Sequence, residues 1–121
     1  MTGRAAAVHV EIKRPTGDAI DVRISGRAEG GVVTELTAAL AAVHAEAVRH
    51  HVALVEVDLR DVERMSSAGF GALTAWIASV QELPSQIQYR IRVRARRGVE
   101  WQRRGLHALR CFAADFVTVV G

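Results

Sequence analysis

Four things are scarce in this chain of 121 residues, and each scarcity excludes something. Cysteine occurs once, as Cys111, which rules out an internal disulfide and any zinc site built from cysteines and is consistent with a reducing compartment. Lysine also occurs once, as Lys13, so nearly all of the sixteen basic side chains are arginine. Arginine suits bidentate contacts with carboxylate or phosphate, but a GC-rich genome produces the same bias, and the bias is read as compositional. Aromatic residues make up only 5% of the chain, thin material for a surface that stacks nucleic-acid bases. Long apolar runs are missing as well. The longest stretch without a charge, residues 65–81, contains Ser, Gly, Thr and Gln and is slightly too short for a bilayer, so it reads as a buried helix. The opening MTGRAAAVHVEIK lacks the apolar run of a signal peptide. A cytoplasmic protein without membrane insertion is expected.

What is present is a hydrophobic half and a charged quarter, 50% and 24%, the balance of a globular protein with a packed core. The length predicts a single domain over residues 1–121. Charge is unevenly spread. Residues 1–82 carry 8 basic and 11 acidic side chains, whereas residues 83–121 carry 8 and 2, so the basic character is local to the C-terminal third.

Residues 8–12 and 20–24 alternate apolar and polar around turn chemistry at Pro15 to Asp18, which predicts a β-hairpin. Gly26, Gly30 and Gly31 are expected to break the pattern. From residue 32 to about 49, Val33, Leu36, Leu40, Val43 and Ala47 recur at helical spacing. Residues 52–59 read as a strand with Val55, Val57 and Leu59 on one face and Glu56 and Asp58 on the other. The segment RDVERM, residues 60–65, reads as a loop. A second helix over residues 66–80 places Phe70, Leu73, Ile77 and Val80 on its buried stripe, and Pro84 closes it. Residues 87–95 alternate strictly, with Ile87, Tyr89, Ile91, Val93 and Ala95 opposite Gln88, Arg90, Arg92 and Arg94. A third helix is expected over residues 99–109, with Gln102 and Leu106 on the face of Val99, and a short strand over residues 116–120. The order β-β-α-β-α-β-α-β predicts an α/β fold with a mixed sheet whose helix-joined strands run parallel. Polar second faces predict helices mainly on one side. The core should include Val55, Val57, Ile91, Val93, Phe70, Leu73, Ile77 and Leu106. Trp76 and Trp101 sit off these stripes and are read as either interface residues or side chains half-buried under a loop.

Chemistry has few places to sit. His9, His44, His50, His51 and His107 show no ligand spacing with carboxylates and are read as solvated, so no metal or other cofactor is expected. Ser66 and Ser67 lack the flanking glycines of a hydrolase elbow, and GFGALT at 69–74 is only half of a dinucleotide fingerprint. An enzyme is not expected. The junction at residues 65–71 remains. Either serine can cap the helix, but a cap does not explain why Ser67, Ala68, Gly69 and Gly71 are all small where glycine costs about 1 kcal/mol in a helix interior. Something approaches this turn closely, either the sheet beneath it or a partner outside it.

The string VALVEVDLRDVERMSSAGFGAL resembles the signature of STAS domains, the family of bacterial anti-anti-sigma factors and sulfate-transporter C-terminal domains. Val55, Val57, Asp58, Leu59, Val62, Met65, Gly69, Phe70 and Gly71 match without gaps, and Gly26 and Glu29 resemble the turn before the first helix. The resemblance implies a STAS fold, a protein partner of the anti-sigma, serine-kinase type, and a partner surface of Glu29, Met65, Ser66, Ser67, Ala68, Gly69, Phe70 and Gly71. It places Ser67, rather than Ser66, on the phosphorylated serine. Two departures are plain: Ser66 stands where the family has an acidic residue, and Ala68 replaces a second hydroxyl residue.

Three functions follow. The first is a stand-alone regulator that binds an anti-sigma factor and is switched by phosphorylation at Ser67. The second keeps the fold as an unphosphorylated scaffold or transporter accessory, the role that the lost acid implies. The third treats Arg90, Arg92, Arg94, Arg96 and Arg97 as a nucleic-acid platform. It is disfavoured because Tyr89 points to the opposite face and because Glu56 and Asp58 lie opposite these arginines. Homodimerisation is left open.

Overall fold

The computed structural model describes residues 8–13, 17–96, 98–112, 115 and 117–120, without the side chains of residues 110 and 112. Pro15 and Thr16 of the expected turn, Arg97 of the arginine run and Phe116 of the last strand lie outside the described residues.

The hairpin forms from β1 (His9–Lys13) and β2 (Ala19–Ala28), paired antiparallel with Ile12 opposite Val22. α1 (Val33–Arg49) follows a 3-10 turn at Gly30–Val32 and leads into β3 (Leu54–Met65). α2 (Ser67–Gln81) leads through a 3-10 turn at Ser85–Ile87 to β4 (Arg90–Arg94), and α3 (Glu100–Phe112) leads to β5 (Val117–Val120). The sheet has the order β1-β2-β3-β4-β5, with β2 through β5 all parallel. This is the mixed α/β sheet that the sequence predicts. Ile20, Val22, Ile24, Val55, Val57, Leu59, Ile91, Val93 and Val117 are buried in one cluster with Leu36, Leu40, Val43, Leu73, Ile77, Leu106 and Leu109 from the helices. The helices therefore cover one face, and the other displays ion pairs.

Several expectations change in the structure. Gly26 does not end its strand: it adopts φ +98° as a bulge, with register shifts on either side, and β2 runs on to Ala28. RDVERM is not a loop but the far half of β3. β4 reaches only as far as Asp58, so Asp61 to Met65 pair with β2 alone, and a strand end covered by one neighbour carries the polar residues of a loop. Ile87 belongs to the 3-10 turn, and β4 begins at Arg90. Trp76 is buried at 5% exposure, while Phe70, expected in the core, is only half-buried. The buried stripe of α2 is Gly69, Ala72, Leu73, Trp76, Ile77 and Val80, one position earlier than its large side chains suggest.

Trp76 owes its place to a polar chain through the core. Its Nε1–H donates to the Tyr89 hydroxyl (2.9 Å), which lies 2.7 Å from His44 Nδ1. With Trp76 as a pure donor, all three groups are satisfied when Tyr89 donates to an unprotonated His44 Nδ1. Burial lowers the His44 pKa and, as the larger effect, raises that of Tyr89. His44 is thus a structural histidine rather than a solvated one. His50 fits its helix-end reading, with Glu46 at 3.3 Å.

By length and composition, Gly30–Arg49 is apolar enough to cross a membrane. In this fold its stripe of Leu36, Leu40, Val43 and Ala47 is packed in the core.

Candidate functional site

The site is built where β3 hands over to α2. Ser66 is the N-cap of α2: extended at φ −76° and ψ 169°, it accepts from the Gly69 N–H through Oγ (3.1 Å). Its own N–H and hydroxyl both donate to the Ala28 carbonyl (3.0 and 3.2 Å), tying the helix start to the end of β2. Ser66 is fully occupied by structure. Ser67, the first helical residue, is exposed, and its hydroxyl has no hydrogen bond among the described residues. Of the two candidate caps, only Ser66 is one.

The cluster of small residues divides in the same way. A Cβ on Gly69 would lie 2.6 Å from the Ala28 carbonyl oxygen and 2.8 Å from Met65 Sδ, so here the close approach is internal, helix against sheet. Gly71 is exposed, a Cβ added to it would meet nothing within 4 Å, and Ala68 is exposed nearby on the same turn. The small, open surface of α2 is therefore Ser67, Ala68 and Gly71.

Met65, Ser66, Ser67, Phe70 and Glu29 line one groove of about 860 Å³. Ala68, Gly69 and Gly71 do not line it. The opposite wall comes from the start of α3 and was not assigned to the site by sequence: Val99, Trp101, Arg104 and Gly105. Phe70 leans on Gly105, where a Cβ would come within 2.9 Å of its ring. Trp101 is half-buried and donates from Nε1 to the Val62 carbonyl (3.0 Å). Beside it, Gln102 is buried at 1% exposure, donating to Leu59 and Val62 carbonyls (2.8 and 3.3 Å) and accepting from the Arg96 N–H (2.7 Å). These bonds tie α3 to the part of β3 that runs on past β4, and they fix α3 against the groove. The position of Trp101 off its helix stripe was the one sequence signal for this wall.

Charges around the groove are mostly neutralised within the chain. Glu63 meets Arg27 (3.6 Å), and Glu100 meets Arg103 and Arg104 (3.8 and 3.3 Å). Arg64 and Glu29 have no ion pair or hydrogen bond among the described residues, and Arg64 is exposed.

The arginine face is different. Glu56 takes Arg92 and Arg94 (2.9 and 3.3 Å), and Asp61 takes Arg23 and Arg96 (2.7 and 2.9 Å). Asp58 does not reach across to Arg94, its register neighbour. It accepts instead from the Arg60 guanidinium and N–H (2.8 to 3.0 Å), and the hydrogen bonds from Arg60 hold its pKa below the usual carboxylate range. A neighbour two residues away on the same strand is reached with less ordering of long side chains than one across the sheet. No group of three His, Cys, Asp or Glu able to hold a metal occurs among the described residues.

The sequence matches no family model and no curated protein at a significant level. The fold does have counterparts among solved structures. An anti-sigma factor antagonist from Mycobacterium paratuberculosis superposes with a TM-score of 0.66 at 23% identity, covering 93% of this chain and 86% of that one. The Bacillus cell fate determinant SpoIIAA in its phosphorylated form gives 0.61 at 10% identity, with 93% and 92% covered. A Shewanella loihica protein with a SpoIIAA-like fold gives 0.58 at 14% identity, with 98% and 89% covered.

Proposed function

The chain has the STAS fold of the anti-sigma factor antagonists, and we propose that it acts as they do. It is a cytoplasmic, single-domain regulator that binds an anti-sigma factor of the serine-kinase type through the groove between α2 and α3. Phosphorylation of Ser67 releases the partner. The observation that carries this reading is the division of labour between two adjacent serines: Ser66 is consumed by the cap, while Ser67 is exposed with its hydroxyl unengaged among the described residues. The γ-phosphoryl group of ATP would pass to Ser67 Oγ, with loss of the hydroxyl proton and release of ADP.

The physics of such a switch is favourable. A phosphoryl group adds about −1.5 to −2 charges at a helix start, where the dipole favours it by about 0.3–2 kcal/mol, so the fold survives. An interface closed over the same turn would bury that charge at a cost of several kcal/mol, and about 4 kcal/mol turns nanomolar binding into micromolar.

The second reading, a constitutive scaffold or transporter accessory, is favoured by one observation: position 66 carries a neutral cap in place of the acid. Calorimetry with purified serine-kinase-type anti-sigma proteins of the source organism separates the two, together with intact mass after incubation with ATP. The switch predicts one phosphoryl group on the wild type, none on Ser67→Ala, and affinity at least about 100-fold weaker for a folded Ser67→Asp variant. Equal binding by wild type and Ser67→Asp leaves the scaffold.

A further inference from the structure

We infer that a phosphoryl group on Ser67 is held within the chain by Arg64, so that phosphorylation also withdraws the one unpaired cation among the described residues of the groove. The inference rests on the reading of Ser67 as a phosphorylated residue and concerns what the phosphate does once there.

Three observations converge. Arg64 and Ser67 line the same groove and are both exposed. Their positions differ by three in sequence, so their Cα atoms are at most about 11 Å apart even in a fully extended chain, a span that an arginine and a phosphoserine bridge from opposite ends. Arg64 is also available: Glu63 beside it faces Arg27 at 3.6 Å, Glu100 across the groove is taken by Arg103 and Arg104, and nothing among the described residues engages the Arg64 guanidinium.

The chemistry then follows from geometry and charge. A guanidinium presents its donors as a planar fork that matches two oxygens of a phosphate, and such charge-assisted bonds are about twice as strong as neutral ones. Arg104 is the other cation on the groove but must first leave Glu100, so Arg64 is the cheaper partner. The unmodified groove therefore offers a partner a free positive charge beside an open hydroxyl. After modification both are gone, and Arg64 lies over the mouth of α2. One covalent event removes two docking elements.

The test needs neither partner nor kinase. Phosphoserine is incorporated at position 67 of the full chain during translation, and the second ionisation of the phosphate is followed by phosphorus NMR. An unpaired phosphoserine titrates near pH 6; the clamp is expected to lower this by about 0.5–1 unit. Arg64→Gln should return it upward by a similar amount, and Arg104→Gln should leave it depressed, with thermal melts confirming that each variant is folded. Equal values in the wild-type background and Arg64→Gln, or a rise only with Arg104→Gln, overturn the clamp. Because the phosphate is installed directly, that result is separate from any failure to find partner switching by calorimetry.

Discussion

Two glycines two residues apart on α2 give the sharpest test of the packing at the site. At Gly69 an added methyl would sit 2.6 Å from the Ala28 oxygen and 2.8 Å from Met65 Sδ. Met65 has a flexible thioether and can swing away. The Ala28 carbonyl cannot, because it accepts from both the N–H and the hydroxyl of Ser66. The start of α2 must move outward instead, against its own cap. Overpacking of this kind costs about 1–3 kcal/mol, and removing a helical glycine returns about 0.5–1 kcal/mol. Net of that gain, Gly69→Ala should destabilise by up to about 2.5 kcal/mol, or lower Tm by up to roughly 10 °C for a domain of this size. Gly71→Ala meets nothing within 4 Å and should stabilise by about 0.5–1 kcal/mol. Urea titration of both variants in parallel measures the difference with shared baselines. A Gly69→Ala protein as stable as Gly71→Ala would refute the idea that contact with the sheet keeps this residue small.

Further predictions concern separate parts of the molecule. Ser66→Ala should lower stability by about 0.5–2 kcal/mol through loss of the cap, while Ser67→Ala should stay within about 0.5 kcal/mol of the wild type, both read by thermal melts. His44 has its pKa lowered by burial, so the unfolded chain binds more protons near and below the ordinary value of about 6.5. Stability should therefore fall as pH drops from about 7.5 to 5.5, and the slope should be shallower in His44→Gln; identical slopes would rule out the Trp76–Tyr89–His44 chain as a contributor. The arginine face should bind labelled DNA with affinity weaker than micromolar and without sequence preference at about 150 mM salt, since Glu56 and Asp61 already pair with Arg92, Arg94 and Arg96. Submicromolar, sequence-dependent binding would revive the nucleic-acid reading.

The strands and the topology were legible because alternation is a direct image of a sheet with one buried face: Val55, Val57, Ile91 and Val93 are all buried as the pattern requires. The errors share a physical origin. Reading a helix stripe from large apolar residues passed over Gly69 and Ala72, whose small size lets α2 sit close to the sheet, and so displaced Trp76 from the core and moved Phe70 into it. Polar residues at 60–65 read as a loop because a strand with one neighbour has little to bury. One wall of the groove was legible from the junction at residues 65–71. The other, from α3, was not, because Val99, Arg104 and Gly105 meet Met65 and Phe70 only through the tertiary fold. Nothing local in residues 99–105 marks that meeting except an unplaced tryptophan.

The strand order β1-β2-β3-β4-β5 is also the order of synthesis. Each strand after the first leaves the ribosome to find a sheet neighbour already made, and none has to wait for a later one to be inserted between it and its partner. Every pairing closes over a single hairpin or one helical crossover, which keeps loop-closure entropy low and contacts local. β5 is short and lies at an edge, so the nascent chain can assemble β1 to β4 and dock α1 and α2 before β5 is made. A chain made this way has its β3–α2 junction, with both serines in place, before the α3 wall of the groove arrives. The half of the groove formed by the β3–α2 junction therefore exists before the half that completes it.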